Sequence, residues 1–170
     1  MSGITYVRGD ATVPLGKGVK VIAHVSNDIG GWGKGFVLAL SRRWPEPEAA
    51  YRAWHRDRAK NDFGLGAAQF VQVGPYTWVA NLIGQRGTRT GSKGVPVRYE
   101  AIDTALGLLA DKALELDATV HMPRIGCGLA GGKWSRVEPL ITDRLVQRGI
   151  SVTVYDHGDR SGTEVRYSRV

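Results

Sequence analysis

Two glycine-rich segments are the parts of this 170-residue chain whose residue types and spacing fit a chemical task. The first is HVSNDIGGWGKGFVLAL at residues 24–40, and the second is HMPRIGCGLAGGKW at residues 121–134. Glycine lets backbone N–H groups approach an anion closely, although it also serves simply to permit tight turns. Each segment stands between an apolar run and a helical pattern, which is typical of phosphate-binding loops. Together they predict a diphosphate held from opposite sides.

Two familiar nucleotide motifs do not match the first segment. Gly33-Lys34 is followed by Gly35 instead of Ser or Thr, and Asp28 stands where a P-loop has its first glycine. The GGWGKG run lacks the Gly-x-Gly-x-x-Gly spacing, and no acidic residue ends a strand about twenty positions later. The pattern therefore excludes a P-loop and argues against a Rossmann dinucleotide site.

Composition limits the class of protein further. Cys127 is the single cysteine, so no intramolecular disulfide forms, and no Cys/His spacing indicates a metal site. The sequence shows neither a basic leader with an apolar core nor a run of about 18 apolar residues, so we expect a cytoplasmic protein without membrane contact. The net charge of +7 predicts attraction to phosphates, whether free, on a nucleotide or on nucleic acid.

The elements that position these segments follow from hydrophobic periodicity. Short apolar runs rich in β-branched and aromatic residues alternate with helical patterns, which favours βα units around a largely parallel sheet. Gly74-Pro75-Tyr76 leaves only three residues between the third and fourth strands, which predicts an antiparallel hairpin. The predicted strands are Ile4–Val7, Val19–Val25, Ala67–Val73, Thr77–Ile83, Thr119–Pro123 and Ser151–Tyr155. The predicted helices are Gly35–Arg43, Pro47–Lys60, Arg98–Leu116 and Ser135–Arg148.

These elements predict a three-layer α/β/α sandwich with a mixed, mostly parallel six-stranded sheet. The length suits one domain. We expect that domain to span residues 1–157, and residues 158–170 to form a polar tail or a short edge strand.

Four stretches, in this order, resemble an ADP-ribose-binding macrodomain: Gly9-Asp10, AHVSNDIGGWGKGF, MPRIGCGL and VTVY. The likeness runs from Ile4 to about His157. It is closest to the terminal ADP-ribose protein glycohydrolase branch, with some similarity to macrodomain antitoxins that remove ADP-ribose from DNA.

The resemblance implies particular ligand contacts. Asp10 would accept a hydrogen bond from the adenine amine, and Tyr155 would stack beside the adenine or its ribose. Backbones of Gly33–Phe36 and Ile125–Leu129 would wrap the diphosphate and distal ribose. No cofactor or metal is implied. The ligand-binding residues expected on this basis are Asp10, Ala11, Ser26, Gly33, Lys34, Gly35, Phe36, Arg86, Pro123, Ile125, Gly126, Cys127, Gly128, Leu129 and Tyr155.

The chain departs from this branch at both of its catalytic positions. Gln85 stands at the place of a lysine, and Ala130 at the place of an aspartate; a neutral amide carries no proton at physiological pH. We therefore expect a variant hydrolase in which Gln85 helps to position water, with ADP-ribose and mono-ADP-ribosylated proteins, modified on Glu or Asp, as partners. The alternatives are a non-catalytic ADP-ribose reader and a hydrolase of ADP-ribosylated nucleic acid. In a variant hydrolase, Ala130→Asp is expected to raise the rate.

Overall fold

Seven strands form one sheet in the computed structural model, which describes residues 3–91 and 94–156 and the backbone of residues 165–167. All six predicted strands are present, and each end lies within two residues of its predicted position. Most of the segment 158–170 lies outside the described residues, and the backbone of Val165–Tyr167 forms the seventh strand. The strands are β1 Thr5–Arg8, β2 Lys20–Asn27, β3 Ala68–Gln72, β4 Thr77–Gln85, β5 Thr119–Met122, β6 Val152–Asp156 and β7 Val165–Tyr167.

The sheet is mixed and mostly parallel, as predicted. Its order is β3-β4-β2-β5-β6-β1-β7. Strand β2 pairs in parallel with β4 and β5, and β6 pairs in parallel with β5 and β1. The predicted hairpin makes β3 antiparallel to β4, and β7 runs antiparallel to β1.

The helices are α1 Phe36–Arg43, α2 Glu46–Arg56, α3 Tyr99–Leu116 and α4 Trp134–Arg144. The predicted spans to Lys60 and Arg148 were too long. Helix α2 ends at Arg56 and α4 at Arg144, and each is followed by a three-residue 3-10 turn. Such tightened turns are frequent at helix ends because they satisfy some of the last carbonyl groups.

Helices cover both faces of the sheet. On one face, α3 buries Ile102, Leu106 and Leu109, and α4 buries Val137 and Ile141, in one cluster with strand residues such as Val120 and Met122. On the other face, side chains of α1 and α2 pack against β2 and β4: Val37, Leu40, Tyr51 and Trp54 against Ile22 and Val79. These clusters form the predicted three layers, and within the described ranges no helix is long and apolar enough to cross a membrane.

The parallel strands bring one set of loops to one edge of the sheet. The chain leaves β2 toward α1 on one face and leaves β5, its neighbour, toward α4 on the other face. Where adjacent strands send their connections to opposite faces, a crevice opens beyond their carboxyl ends. Both glycine-rich segments border this crevice between β2 and β5.

Candidate ligand-binding site

The loop after β2 is held by Asn27, which sequence reasoning did not single out. Its Oδ1 atom accepts hydrogen bonds from the amides of Ile29 (3.0 Å) and Gly31 (2.9 Å), and its Nδ2 group donates to the Gly31 carbonyl at 2.8 Å. The buried Tyr51 hydroxyl in turn donates to the Asn27 carbonyl at 2.6 Å. The loop is therefore fixed from inside the fold, and its glycine backbone faces outward.

The start of α1 is open to an anion. Gly35 precedes the helix with φ 81° and ψ −145°, and neither a capping side chain nor an acidic residue lies in the first turn. Within the described part of the chain, the amides of Gly33, Lys34, Gly35 and Phe36 have no hydrogen-bond partner. Free amides at a helix N-terminus attract negative charge.

The loop after β5 is a compact turn of glycines. The Gly132 amide donates to the Gly126 carbonyl at 2.7 Å, and a Cβ atom at Gly132 would lie 2.3 Å from that oxygen, so only glycine fits. Among the described residues, the amides of Gly126, Gly128 and Leu129 have no partner. Gly128 and Leu129 are exposed, whereas Ile125 is buried. The two glycine-rich loops thus present unpaired amides on both sides of the crevice.

The entrance to this second loop is anchored next to Pro123. Arg124 forms two hydrogen bonds with Asp156 at the end of β6, of 2.6 and 2.9 Å. Its guanidinium also lies over the rings of Tyr6 and Trp134. Cys127 is half-buried and burial raises the pKa of its thiol, so this thiol is poorly suited to act as a nucleophile.

The predicted adenine end lies at the loop after β1. The exposed Asp10 accepts two hydrogen bonds at Oδ1, from the Thr12 amide (2.8 Å) and hydroxyl (2.7 Å). Ala11 and Tyr155 are buried together, and Phe36 packs against them. The Tyr155 hydroxyl accepts from the Leu15 amide at 2.8 Å and bonds to His121 Nδ1 at 2.7 Å. Tyr155 therefore supports this loop from below, and its stacking on adenine stays a prediction.

Gln85 flanks the crevice from the β4 side. Its side-chain amide donates to the Gly87 carbonyl at 2.9 Å, and Gly87 donates to Asp28 Oδ1 at 2.8 Å. The following residue, Arg86, is exposed and its backbone amide donates to Pro96. Gln85, the last residue of β4, is thus held by the loop that follows it, next to the first glycine-rich segment. Its catalytic role stays a prediction.

Ala130 does not line the crevice. It is 5% exposed, belongs to the core cluster beneath α3 and α4, and its carbonyl accepts from the Val97 amide at 2.9 Å. An aspartate here would be placed among apolar side chains. The expectation that Ala130→Asp raises a rate is therefore replaced by an expected loss of stability.

Sequence reasoning also missed a buried polar pair beneath α1. His24 and Asn81 lie inside apolar strand runs and are 2% and 0% exposed; His24 Nε2 is 2.5 Å from Asn81 Oδ1. Burial lowers the pKa of His24 to about 4, so the ring is neutral at pH 7. The available signal was a polar residue within a run that must be buried on both faces. Among the described residues, no cluster of three or more His, Cys, Asp or Glu side chains could hold a metal ion.

Comparisons with solved structures agree with this architecture. The chain is 75% identical to a macrodomain protein from Streptomyces coelicolor, with a TM-score of 0.83, covering 91% of this chain and 99% of that one. It is 27% identical to the macrodomain of Mycobacterium tuberculosis DarG, with a TM-score of 0.73 and 98% of that chain covered. Thermosipho africanus DarTG in complex with ADP-ribose shares the fold at 18% identity and a TM-score of 0.74, covering 92% of this chain and 42% of that one.

Two curated relatives are less similar in sequence than the Streptomyces coelicolor protein. The chain is 30% identical over 163 residues to the Chromodomain-helicase-DNA-binding protein 1-like of Danio rerio, covering 91% of this chain but only 16% of that protein. It is 27% identical to an ADP-ribose 1''-phosphate phosphatase of Lodderomyces elongisporus, covering 90% of this chain and 99% of that protein. No family model matches the sequence.

Proposed function

The chain belongs to the macrodomain family, and on that premise we propose that it binds ADP-ribose in the β2–β5 crevice and hydrolyses it from protein carboxylates. One observation carries the proposal. Two loops face each other across the crevice with unpaired backbone amides, at Gly33–Phe36 in one and at Gly126, Gly128 and Leu129 in the other. Such amides bind a diphosphate without the bulk of side chains.

The nucleoside end of the ligand fits the loop after β1. Asp10 Oδ1 is occupied by Thr12, whereas Oδ2 has no hydrogen-bond partner among the described residues. A carboxylate oxygen accepts only, so it selects the exocyclic amine of adenine over a ring carbonyl. The names of two relatives support this kind of ligand. The Thermosipho africanus DarTG structure is a complex with ADP-ribose, and the Lodderomyces elongisporus protein is named an ADP-ribose 1''-phosphate phosphatase.

The kind of bond to ADP-ribose that the site could cleave depends on which proton donors and acceptors it lacks. Gln85, beside the crevice, carries a neutral amide that is neither a general acid nor a general base, and Ala130 is buried away from the crevice. A carboxylate leaves without a proton at neutral pH, because its conjugate acid has a pKa near 4. A sugar hydroxyl or a base nitrogen is a stronger base and needs a proton donor to depart. Positioning of water and backbone dipoles alone could therefore support hydrolysis of an ester. Orientation of the reacting groups lowers the activation barrier by about 7–11 kcal/mol in favourable cases.

A second candidate, release of ADP-ribose from nucleic acid, is favoured by charge at the crevice edge. Exposed cations on the loops there include Lys34, Arg86, Arg89 and Lys133, and none of them forms an ion pair within the described residues. Such a rim attracts a phosphate backbone. The charge alone, however, does not supply a proton donor.

The deciding experiment offers three substrates to the whole chain: a peptide mono-ADP-ribosylated on glutamate, an ADP-ribosylated single-stranded DNA, and ADP-ribose 1''-phosphate. We expect ADP-ribose release from the peptide alone. Gly128→Glu is the binding-deficient control, because a Cβ atom at Gly128 would meet no atom within 4 Å while the carboxylate adds like charge beside the diphosphate. Gly128→Gln matches it in size without the charge. Release from DNA only would establish the second candidate, and ADP-ribose binding without any release would leave a reader.

A further inference from the structure

Two polar atoms beneath α1 are buried without a hydrogen-bond partner: His24 Nδ1 and Ser26 Oγ. Their residues are 2% and 4% exposed. Both lie on β2 two positions apart, so both side chains point to the same face of the sheet, with Cα atoms about 6.6 Å apart. The large majority of buried side-chain polar atoms in native proteins have a hydrogen-bond partner, so a pair of exceptions two residues apart on one face points to a shared partner.

The hydrogen bonds on the Nε2 side of His24 determine whether the partner of Nδ1 must be a donor or an acceptor. The carbonyl groups of Pro47 and Ala50 in α2 only accept, so the Asn81 and Gln69 amide nitrogens that meet them are donors. Asn81 Nδ2 also donates to Gln69 Oε1 at 3.0 Å, which leaves Asn81 Oδ1 as the acceptor facing His24.

The tautomer of His24 follows. Its Nε2 atom carries the proton that Asn81 Oδ1 accepts, and the neutral ring therefore has a bare lone pair at Nδ1. This lone pair needs a donor. The Ser26 hydroxyl does not form a hydrogen bond with it.

We infer that His24 Nδ1 and Ser26 Oγ hold one internal water molecule, which donates to His24 and bonds to the Ser26 hydroxyl. A buried water typically makes about three hydrogen bonds to groups that are otherwise unsatisfied. Two hydrogen bonds of about 2.8 Å each would connect two side chains that do not bond to each other directly.

This water site supports the first glycine-rich loop. The His24 ring packs edge-on against Trp32, with centroids 5.4 Å apart, and lies 6.0 Å from the ring of Phe36, the first residue of α1. His24 is therefore a positioning residue: it ties the loop after β2, through Asn81, to the backbone of α2. The inference stands on the network alone and does not depend on the proposed function.

Nuclear magnetic resonance of the uniformly ¹⁵N-labelled whole chain tests it. We expect long-range imidazole correlations to show His24 protonated at Nε2 only, and water–protein cross-relaxation to show a long-lived water beside His24 and Ser26. Ser26→Ala should abolish the water signal while the His24 tautomer stays the same. Ser151→Ala, at an exposed serine remote from the pair, should retain both.

Two results would overturn the inference. One is a His24 ring protonated at Nδ1, which would reverse the direction of the network. The other is a slowly exchanging Ser26 hydroxyl proton coupled directly to His24 Nδ1 with no water signal, which would show a direct bond. Because neither measurement involves ADP-ribose, both outcomes are independent of whether the chain hydrolyses any substrate.

Discussion

The Cδ1 atom of Leu129 lies 3.7 Å from the point where a side chain at Gly35 would begin. The loop after β5 thus touches the loop after β2 across the crevice, although the two residues are far apart in sequence. Leu129 is nevertheless 65% exposed, so it covers the edge of the crevice without filling it.

Gly35→Ala should weaken ADP-ribose binding through the backbone. Gly35 has φ 81° and ψ −145°, a conformation that costs other residues about 1–3 kcal/mol. Isothermal titration calorimetry measures the loss. Gly33→Ala is the matched control, because a Cβ atom there meets nothing within 4 Å and its φ is not positive. Equal affinities for the two variants would contradict the role of the Gly35 conformation.

Asp10→Ala should reduce ADP-ribose affinity by about 1.5–3 kcal/mol, the value of a hydrogen bond to a charged acceptor. Part of that loss would come from the Thr12 turn that Asp10 holds. Asp10→Asn keeps a side-chain oxygen for the turn but removes the charge, and Thr12→Val keeps the carboxylate. Calorimetry with ADP-ribose should rank Thr12→Val nearest to the wild type. Unchanged binding by Asp10→Ala would remove Asp10 from the site.

Gln85→Ala should slow ester hydrolysis by about 10²–10³-fold if the amide stabilises the transition state, while ADP-ribose affinity changes by only a few-fold. Single-turnover release from the glutamate-linked peptide measures the rate. Arg86→Ala, one position along the same loop, separates loss of the amide from loss of nearby charge. Full activity of Gln85→Ala would transfer its assigned role to Arg86 or to the amides of Gly33–Gly35.

Ala130→Asp should destabilise the protein by about 2–4 kcal/mol, because it places a carboxylate in an apolar core without a partner. Urea unfolding measures the change. Leu129→Asp is the neighbouring control: it introduces the same carboxylate at an exposed position and should leave the unfolding free energy nearly unchanged. An Ala130→Asp protein as stable as the wild type would contradict the packing of this loop.

Stability should fall as the pH is lowered from about 6.5 to about 4. Burial lowers the pKa of His24 and of His121 from 6.5 to about 4; a nearby Lys20 adds to the effect at His121. The unfolded chain binds these protons first, so the contribution is complete above pH 6.5 and lost through pH 4. Each histidine accounts for up to about 3 kcal/mol. Urea titrations at several pH values should show this slope, which His121→Gln should reduce; a flat profile would contradict it.

Local patterns in the sequence determined much of the fold. Alternation and β-branched content located the six strands, and the apolar stripe with Ile102, Leu106 and Leu109 located α3. The Gly74-Pro75 turn identified the hairpin. These features depend on residues close together in the chain, so neighbouring residues suffice to encode them. The glycine-rich segments were found for the same reason, since a loop between a strand and a helix is a local feature.

Side-chain partners were decided only by the tertiary structure. Ala130 was expected at a catalytic position, but strand order and the packing of α3 and α4 bury it. Tyr155 bonds to Leu15 and His121, and the polarity of His24 depends on Asn81, Gln69 and two carbonyl groups of α2. These partners come from separate elements. No local periodicity specifies them, because they meet only after the sheet has fixed its order and register.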